Sequence, residues 1–308
     1  KAYWRKYLKQ HNGLKIKEPE NSYDERIYEI YKRSILLFPL LTNADTGAII
    51  ASPEIDENFT KCGRYAYCWP RDAVFITKAM DILKMGKETE KFYKVFCRKT
   101  QSKNGMWEQR FYTDCKLAPC WGYQIDETAS VIFGVYEHYK YSKSEQFLKD
   151  NLQMCEKAVD FLKRYFTDIL EETNKYQVSY DLWEMCEGVH LYSLASIYSA
   201  FDCMLKIYDN LGKNVSEFEN NRLKEEKIHK NEKEIERLQV EVKKYINQNM
   251  YDEDKKAYVR NAQDKKMDIS ILGVVTPFNV FKAKEKKVKF LLPIDNKIGK
   301  EFKPDTES

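Results

Sequence analysis

The sequence predicts an all-α protein, a toroid of helical hairpins. Three observations carry this. Glycine and proline are scarce, at 11 and 8 in 308 residues. Long stretches repeat apolar residues at three- and four-residue steps. Between the helices recur short aromatic-polar loops, and hairpins whose loops all point to one end gather those loops at a single cleft.

Helical spacing predicts elements over Tyr23–Leu41, Arg71–Met85, Glu88–Gln101, Glu127–Tyr141, Glu145–Phe166, Gly188–Leu211, Glu217–Asn249 and Asp268–Phe281. The second opens on Pro70, a residue suited to a first helical position, with Asp72 favoured by the N-terminal dipole. In the fourth, Val131, Ile132, Val135 and Tyr139 mark one buried face, with Asp126 as the expected cap. The seventh lies in a densely charged stretch, yet Ile235, Leu238, Val242 and Tyr245 keep a stripe, as in a solvated outer helix with one buried face.

Charge and composition exclude several classes. The 52 lysines and arginines are interspersed with 48 acidic residues, so a net charge of +4 forms no basic stripe for nucleic acid. No run reaches the eighteen apolar residues of a membrane span, and the start, Lys1-Ala2-Tyr3-Trp4-Arg5, has no signal-peptide core. The first residue is not methionine, so the chain is expected to begin inside a longer protein. Eight cysteines include no Cys-x-x-Cys pair and no metal set with histidine. Reduced thiols in a cytoplasm are the expectation, and two Asn-x-Ser/Thr sequons, at Asn58 and Asn214, carry meaning only in a secreted eukaryotic protein.

Four of the five tryptophans fall between Gly63 and Glu187, each near a charged residue. The words are Tyr65-Ala66-Tyr67-Cys68-Trp69-Pro70-Arg71-Asp72, Trp107-Glu108-Gln109-Arg110-Phe111, Trp121-Gly122-Tyr123-Gln124-Ile125-Asp126-Glu127 and Tyr180-Asp181-Leu182-Trp183-Glu184. A flat aromatic face beside a carboxylate or guanidinium suits a sugar ring, whose C–H faces are apolar and whose hydroxyl rim takes paired hydrogen bonds. Glu184 is the candidate general acid, because the adjacent indole removes water from its carboxyl group. The alternative is that Asp181 or Glu184 caps the following helix. An Arg71-Asp72 pair in a first turn is equally a capping signature, and Trp107 and Trp121 either pack their loop or stack a ligand.

Taken in order, these words resemble glycoside hydrolase family 15, the glucoamylase family, in its bacterial form. Further matches are Leu41-Thr42-Asn43, Thr46 to Glu54, Leu117-Ala118-Pro119, and Asp268 to Gly273 with Pro277-Phe278. The resemblance implies an (α/α)6 barrel and an inverting, exo-acting hydrolase that releases glucose from the non-reducing ends of α-glucans. It implies Glu184 as the general acid, Arg71 and Asp72 as contacts of the terminal glucose, and Tyr65 as a residue placing the attacking water. Trp69, Trp107, Trp121 and Trp183 would line the pocket, with Asp126 among the substrate-binding residues. No metal or organic cofactor is needed by such chemistry.

The sequence departs from the family in two places. The second glutamate, the general base, and the glycine-rich segment before it are missing, so the barrel is expected to be incomplete, with about eight of twelve helices, and the chain alone inactive or nearly so. Residues 1–22 resemble the linker from a missing N-terminal domain, 23–281 the partial barrel, and 282–308 an unmatched tail. Met185 stands where many members have another glutamate. Competing readings are a trehalase or dextran glucosidase of the same family, or a non-catalytic sugar-binding domain like parts of phosphorylase kinase regulatory subunits.

Overall fold

The computed structural model describes residues 2–11, 20–55, 64–120, 122–173, 179–212 and 222–285. Trp121, Cys62, both sequon asparagines and the tail from residue 286 lie outside them. The helices are α1 (Ala2–Gln10), α2 (Ser22–Leu41), α3 (Pro70–Ile82), α4 (Gly86–Lys91), α5 (Arg98–Thr100), α6 (Ile125–Ser142), α7 (Glu145–Glu171), α8 (Leu191–Gly212) and α9 (Arg222–Asn249). Two tiny antiparallel hairpins accompany them, β1 (Ser179–Tyr180) with β2 (Glu187–Gly188) and β3 (Tyr251–Asp252) with β4 (Ala257–Tyr258). The chain is mainly helical, as its periodicity predicts.

Local chemistry explains the boundaries. Asn21 caps α2, its side chain accepting from the Tyr23 and Asp24 N–H groups, and Ser144 caps α7 through the Phe147 N–H. Pro70 occupies the first turn of α3. Between α4 and α5 the chain winds as a π-helix over Phe92–Cys97, so the expected third helix is continuous but carries a widened turn. That turn buries Phe92, Tyr93, Phe96 and Cys97 together.

Helices α3, α6 and α8 pack side by side in that order, while α7 lies against α6 and α8, and α9 against α8. As the middle member, α6 is buried on every side from Ile125 to Val135, wider than the single face its periodicity suggested. Gly134 makes this approach possible. A Cβ there would sit 2.2 Å from the Tyr93 hydroxyl and under 3 Å from both Val74 methyls. Alanine would gain about 1 kcal/mol of helix propensity, whereas overpacking costs about 1–3 kcal/mol. Because the clash is deep and on two sides, Gly134→Ala is expected to lower the midpoint of thermal unfolding. An unchanged or raised midpoint would show that α3 can retreat freely.

In α9, Ile235, Leu238 and Val242 are buried and Tyr245 half-buried, as expected for an outer helix. Two elements differ from expectation. The stretch 268–281 is not an α-helix: only Ile269–Val274 winds, as a 3-10 turn. Pro277 has no N–H to continue a helix and disfavours helical geometry in Thr276 before it. Conversely, α1 forms within a stretch read as linker. It is tied down by the Tyr7 hydroxyl on Met85 Sδ at 3.8 Å and by His11 Nδ1 on the Leu83 carbonyl at 3.2 Å. Tyr3, Trp4, Tyr7 and His11, whose rings adjoin, sit at helical spacing and were the overlooked signal.

The described cysteines are all free thiols. No described helix is long and apolar enough to cross a membrane.

Candidate active site

A cavity of about 620 Å³ opens at the N-terminal end of α3, in the size range of small-molecule sites. Its walls are Ala51, Arg64, Tyr65, Tyr67, Trp69, Arg71, Asp72, Arg110, Pro119, Cys120, Leu182, Trp183 and Glu184. Three of the four tryptophan words therefore converge here.

The approach to α3 is extended, and its backbone bonds on both sides fix it. Ala51 N–H donates to the Tyr67 carbonyl at 2.9 Å and Ser52 N–H to that of Tyr65 at 3.1 Å, while Cys68 and Phe111 exchange N–H···O bonds at 2.9 Å. An extended segment sends alternate side chains to opposite faces. Tyr65, Tyr67 and Trp69 thus share the cavity face, and Cys68 turns into the core. This period of two was readable in the sequence.

Exposure orders the aromatic groups by depth. Trp69 and Tyr67 are 5% and 8% exposed and form the floor, whereas Tyr65 and Trp183, both 46% exposed, form the mouth. Arg110, from the second tryptophan word, lays its guanidinium over Tyr67 and Trp69, 5.1 and 5.4 Å from the ring centres. Its Nε donates to the Pro119 carbonyl at 2.7 Å. A guanidinium over an aromatic face is attractive, and here it bridges two rings set edge to face at 62°.

Arg71 is the hub of the floor. Its Nη1 donates to Asp126 Oδ2 at 2.8 Å and to Gln124 Oε1 at 3.2 Å, its Nη2 to Asp72 Oδ2 at 3.2 Å, and its backbone N–H to Glu127 Oε2 at 2.6 Å. Burial works against the guanidinium's charge, but Glu127, Asp126 and Asp72 outweigh it and hold Arg71 above its usual range. Burial pushes the Glu127 carboxyl up, with Arg71 opposing and Asp126 and Asp72 adding to the rise. One cation serves three carboxylates.

The expectation that Asp126 caps its own helix is corrected here. Gln124 is the N-cap of α6, makes no side-chain cap bond, and both Asp126 and Glu127 are spent on Arg71. Asp126 is fully buried and absent from the cavity walls, and its link to the cavity runs through Arg71. Glu127 acts as the cap of α3, because Pro70 has no N–H and Trp69 offers no side-chain acceptor.

Glu184 sits in the turn between β1 and β2. Its N–H donates to the Asp181 carbonyl at 2.9 Å, and its φ of 59° is left-handed. Asp181 Oδ1 accepts from the Met185 and Cys186 N–H groups at 2.8 and 3.0 Å, so Asp181 caps this turn and not α8. His190, just before α8, fixes the strand through a 2.8 Å bond from Nε2 to the Ser179 carbonyl, and burial keeps its pKa low. The indole N–H of Trp69 donates to Glu184 Oε1 at 2.9 Å. Glu184 is thereby aimed into the same cavity as Arg71 and Asp72.

Of the predicted site residues, Tyr65, Trp69, Arg71, Asp72, Trp183 and Glu184 line the cavity together. Trp107 does not. It is fully buried, with its indole N–H on the Cys97 carbonyl at 3.0 Å and its backbone N–H on Thr128 Oγ1 at 3.0 Å. Its large ring lies inside the core with its indole N–H satisfied, an arrangement that packs its loop. The prediction for Trp121 falls outside the described residues.

This helical architecture matches that of glucoamylases. A bacterial glucoamylase solved in complex with acarbose superposes with a TM-score of 0.65 at 17% identity, over 94% of this chain and 41% of that one. The glucoamylases of Saccharomycopsis fibuligera and Hypocrea jecorina give TM-scores of 0.56 and 0.59 at 14% and 15% identity. They cover 77% and 78% of this chain, and 52% and 40% of their own. These likenesses define the class, an all-α protein of the glucoamylase (α/α)6 fold.

The chain belongs to glycosyl hydrolases family 15, whose sequence model matches residues 25–303 and so runs past Phe281 into the tail. An uncharacterized glycosyl hydrolase of Methanocaldococcus jannaschii is 28% identical over 286 residues, 93% of this chain and 42% of that protein. The chain thus spans about two fifths of the length of that relative and of the bacterial glucoamylase.

Proposed function

We propose that this chain carries the terminal-sugar floor and the proton donor of an inverting, exo-acting α-glucan hydrolase. The observation that carries the reading is the Glu184 carboxyl held by the Trp69 indole over the cavity whose floor is Arg71 and Asp72. A charged floor beneath an aromatic mouth receives a chain end hydroxyl-first, with the rings stacked by Tyr65, Trp69 and Trp183. Family membership and the acarbose-bound glucoamylase support an α-glucan or a glucose-containing oligosaccharide as ligand.

In this reading Glu184 gives a proton to the glycosidic oxygen as the bond to the anomeric carbon breaks. The indole occupies Oε1 and leaves Oε2 to hold that proton. Inversion needs a second carboxylate roughly 6.5–9.5 Å away, with a water between them. Among the described residues the cavity walls hold two carboxylates, Glu184 and Asp72, and Asp72 is bonded to Arg71. The base is therefore assigned to polypeptide outside the described residues.

Titrating the chain with acarbose while following tryptophan fluorescence is expected to show saturable binding that Asp72→Ala weakens at least tenfold. Incubation with maltose is expected to release almost no glucose. A folded chain that ignores acarbose would overturn the sugar site. Brisk glucose release that disappears in Glu184→Gln would keep the acid and overturn the missing base.

A further inference from the structure

We propose that Gln124 is a positioning residue whose side-chain amide couples the sugar-holding Arg71 to the turn that carries Glu184. The inference rests on the functional reading above. Gln124 is 1% exposed and lines no part of the cavity. Its Oε1 accepts from Arg71 Nη1 at 3.2 Å and its Nε2 donates to the Asp181 carbonyl at 2.6 Å. That carbonyl also accepts the Glu184 N–H at 2.9 Å. One planar amide thus spans from the guanidinium that meets the sugar to the oxygen that shapes the acid's turn.

The chemistry singles out glutamine. The link needs an acceptor towards a cation and a donor towards a carbonyl, at opposite edges of one flat group and three bonds from the backbone. Asparagine is too short, glutamate at neutral pH has no proton for the carbonyl, and methionine keeps the shape but neither bond. As N-cap of α6, Gln124 also forgoes capping its own helix, and its amide is committed to these two partners instead.

If the amide sets the acid's turn, a displacement of Arg71 by the sugar is passed to the place where Glu184 meets the Trp69 indole. Leaving the Asp181 carbonyl and the guanidinium without this buried partner loosens both. The coupling is local and needs no movement of the helices.

The full chain labelled with 15N at tryptophan gives the test, because the Trp69 indole N–H reports its own bond to Glu184. Trp69→Phe assigns the signal, and Glu184→Ala shows where it moves when the bond is lost. In Gln124→Met the signal is expected to move towards the Glu184→Ala position, and acarbose affinity to fall roughly tenfold.

In Gln124→Glu the side chain meets Arg71 and the Asp181 carbonyl directly; Asp72, Asp126 and Glu127 share that guanidinium with it, and His190 lies within the field of Asp181 and Asp126. As pH falls the new carboxyl takes up a proton and regains a donor for the Asp181 carbonyl. The signal and the affinity are therefore expected to return towards wild type in acid and to be lost as pH rises. Wild type and Gln124→Met serve as controls for the other titrating groups.

A purely structural role would lower the unfolding midpoint without this pH-dependent recovery. The proposal is overturned if acarbose binds and Glu184→Ala moves the signal, while both Gln124 variants keep it at the wild-type position at every pH. Failure of acarbose to bind wild type would instead sink the functional reading, and the indole signal would still decide whether Gln124 sets the turn.

Discussion

Arg71→Met is expected to cost about 3–5 kcal/mol of stability, the loss seen when one partner of a buried charge set is removed. Asp126 and Glu127 are fully buried, and with Asp72 they share this one guanidinium. Without it, the first turn of α6 holds two carboxylates in a dry site. The sign with pH follows. Burial already pushes the Glu127 carboxyl up against the opposing Arg71, so in the variant its folded-state pKa lies above its unfolded one and the penalty is full above that raised value. It fades as pH falls through it, and is gone below the ordinary carboxylate range near 4. Urea unfolding at pH 7 and pH 4.5 is expected to show a smaller deficit at the lower pH. A deficit under 1 kcal/mol at pH 7 would mean that Arg71 carries no such burden. Arg71→Lys is expected to recover little, since an ammonium group is a point donor and cannot reach Gln124, Asp126 and Asp72 as a fork does.

Trp107→Ala is expected to cost about 3–5 kcal/mol through the cavity it leaves. It also removes the indole bond to the Cys97 carbonyl, which keeps the Gln101 N–H at 3.0 Å. Trp107→Phe, which keeps most of the volume, is expected to leave acarbose affinity within threefold of wild type while still lowering the unfolding midpoint. The opposite pattern, intact stability with affinity down tenfold, would return Trp107 to the cavity wall. Trp69→Phe provides the contrast, because its indole N–H holds Glu184 directly.

Much of the fold was readable because its signals are local. Pro70 at the start of α3 and the apolar stripe of α9 act within a turn or two of themselves, and each lies where its pattern put it. So do Tyr65, Tyr67 and Trp69, whose alternation defines one wall. The stretch around Gly273 and Pro277 misled because its apolar spacing is helical, while proline removes a backbone donor.

What the sequence did not reveal depends on partners far along the chain. Glu127 at the third position of α6 looks like a capping residue for its own helix, but its carboxylate belongs to the Arg71 N–H, 56 residues away. Gln124 looks like an unremarkable N-cap and bridges two other segments. Trp107 beside Glu108 and Arg110 reads like a sugar platform, and only the π-helical turn that buries Cys97 next to it reveals a core residue. Burial and long-range pairing decide these cases, and neither has a period.

The described wall residues all fall between Ala51 and Glu184, within about the first three fifths of the chain. On the functional reading proposed above, exchanging the polypeptide downstream of His190 would alter what surrounds the leaving group while the described grip on the first sugar stays in place, which makes this boundary a point for grafting new substrate preferences.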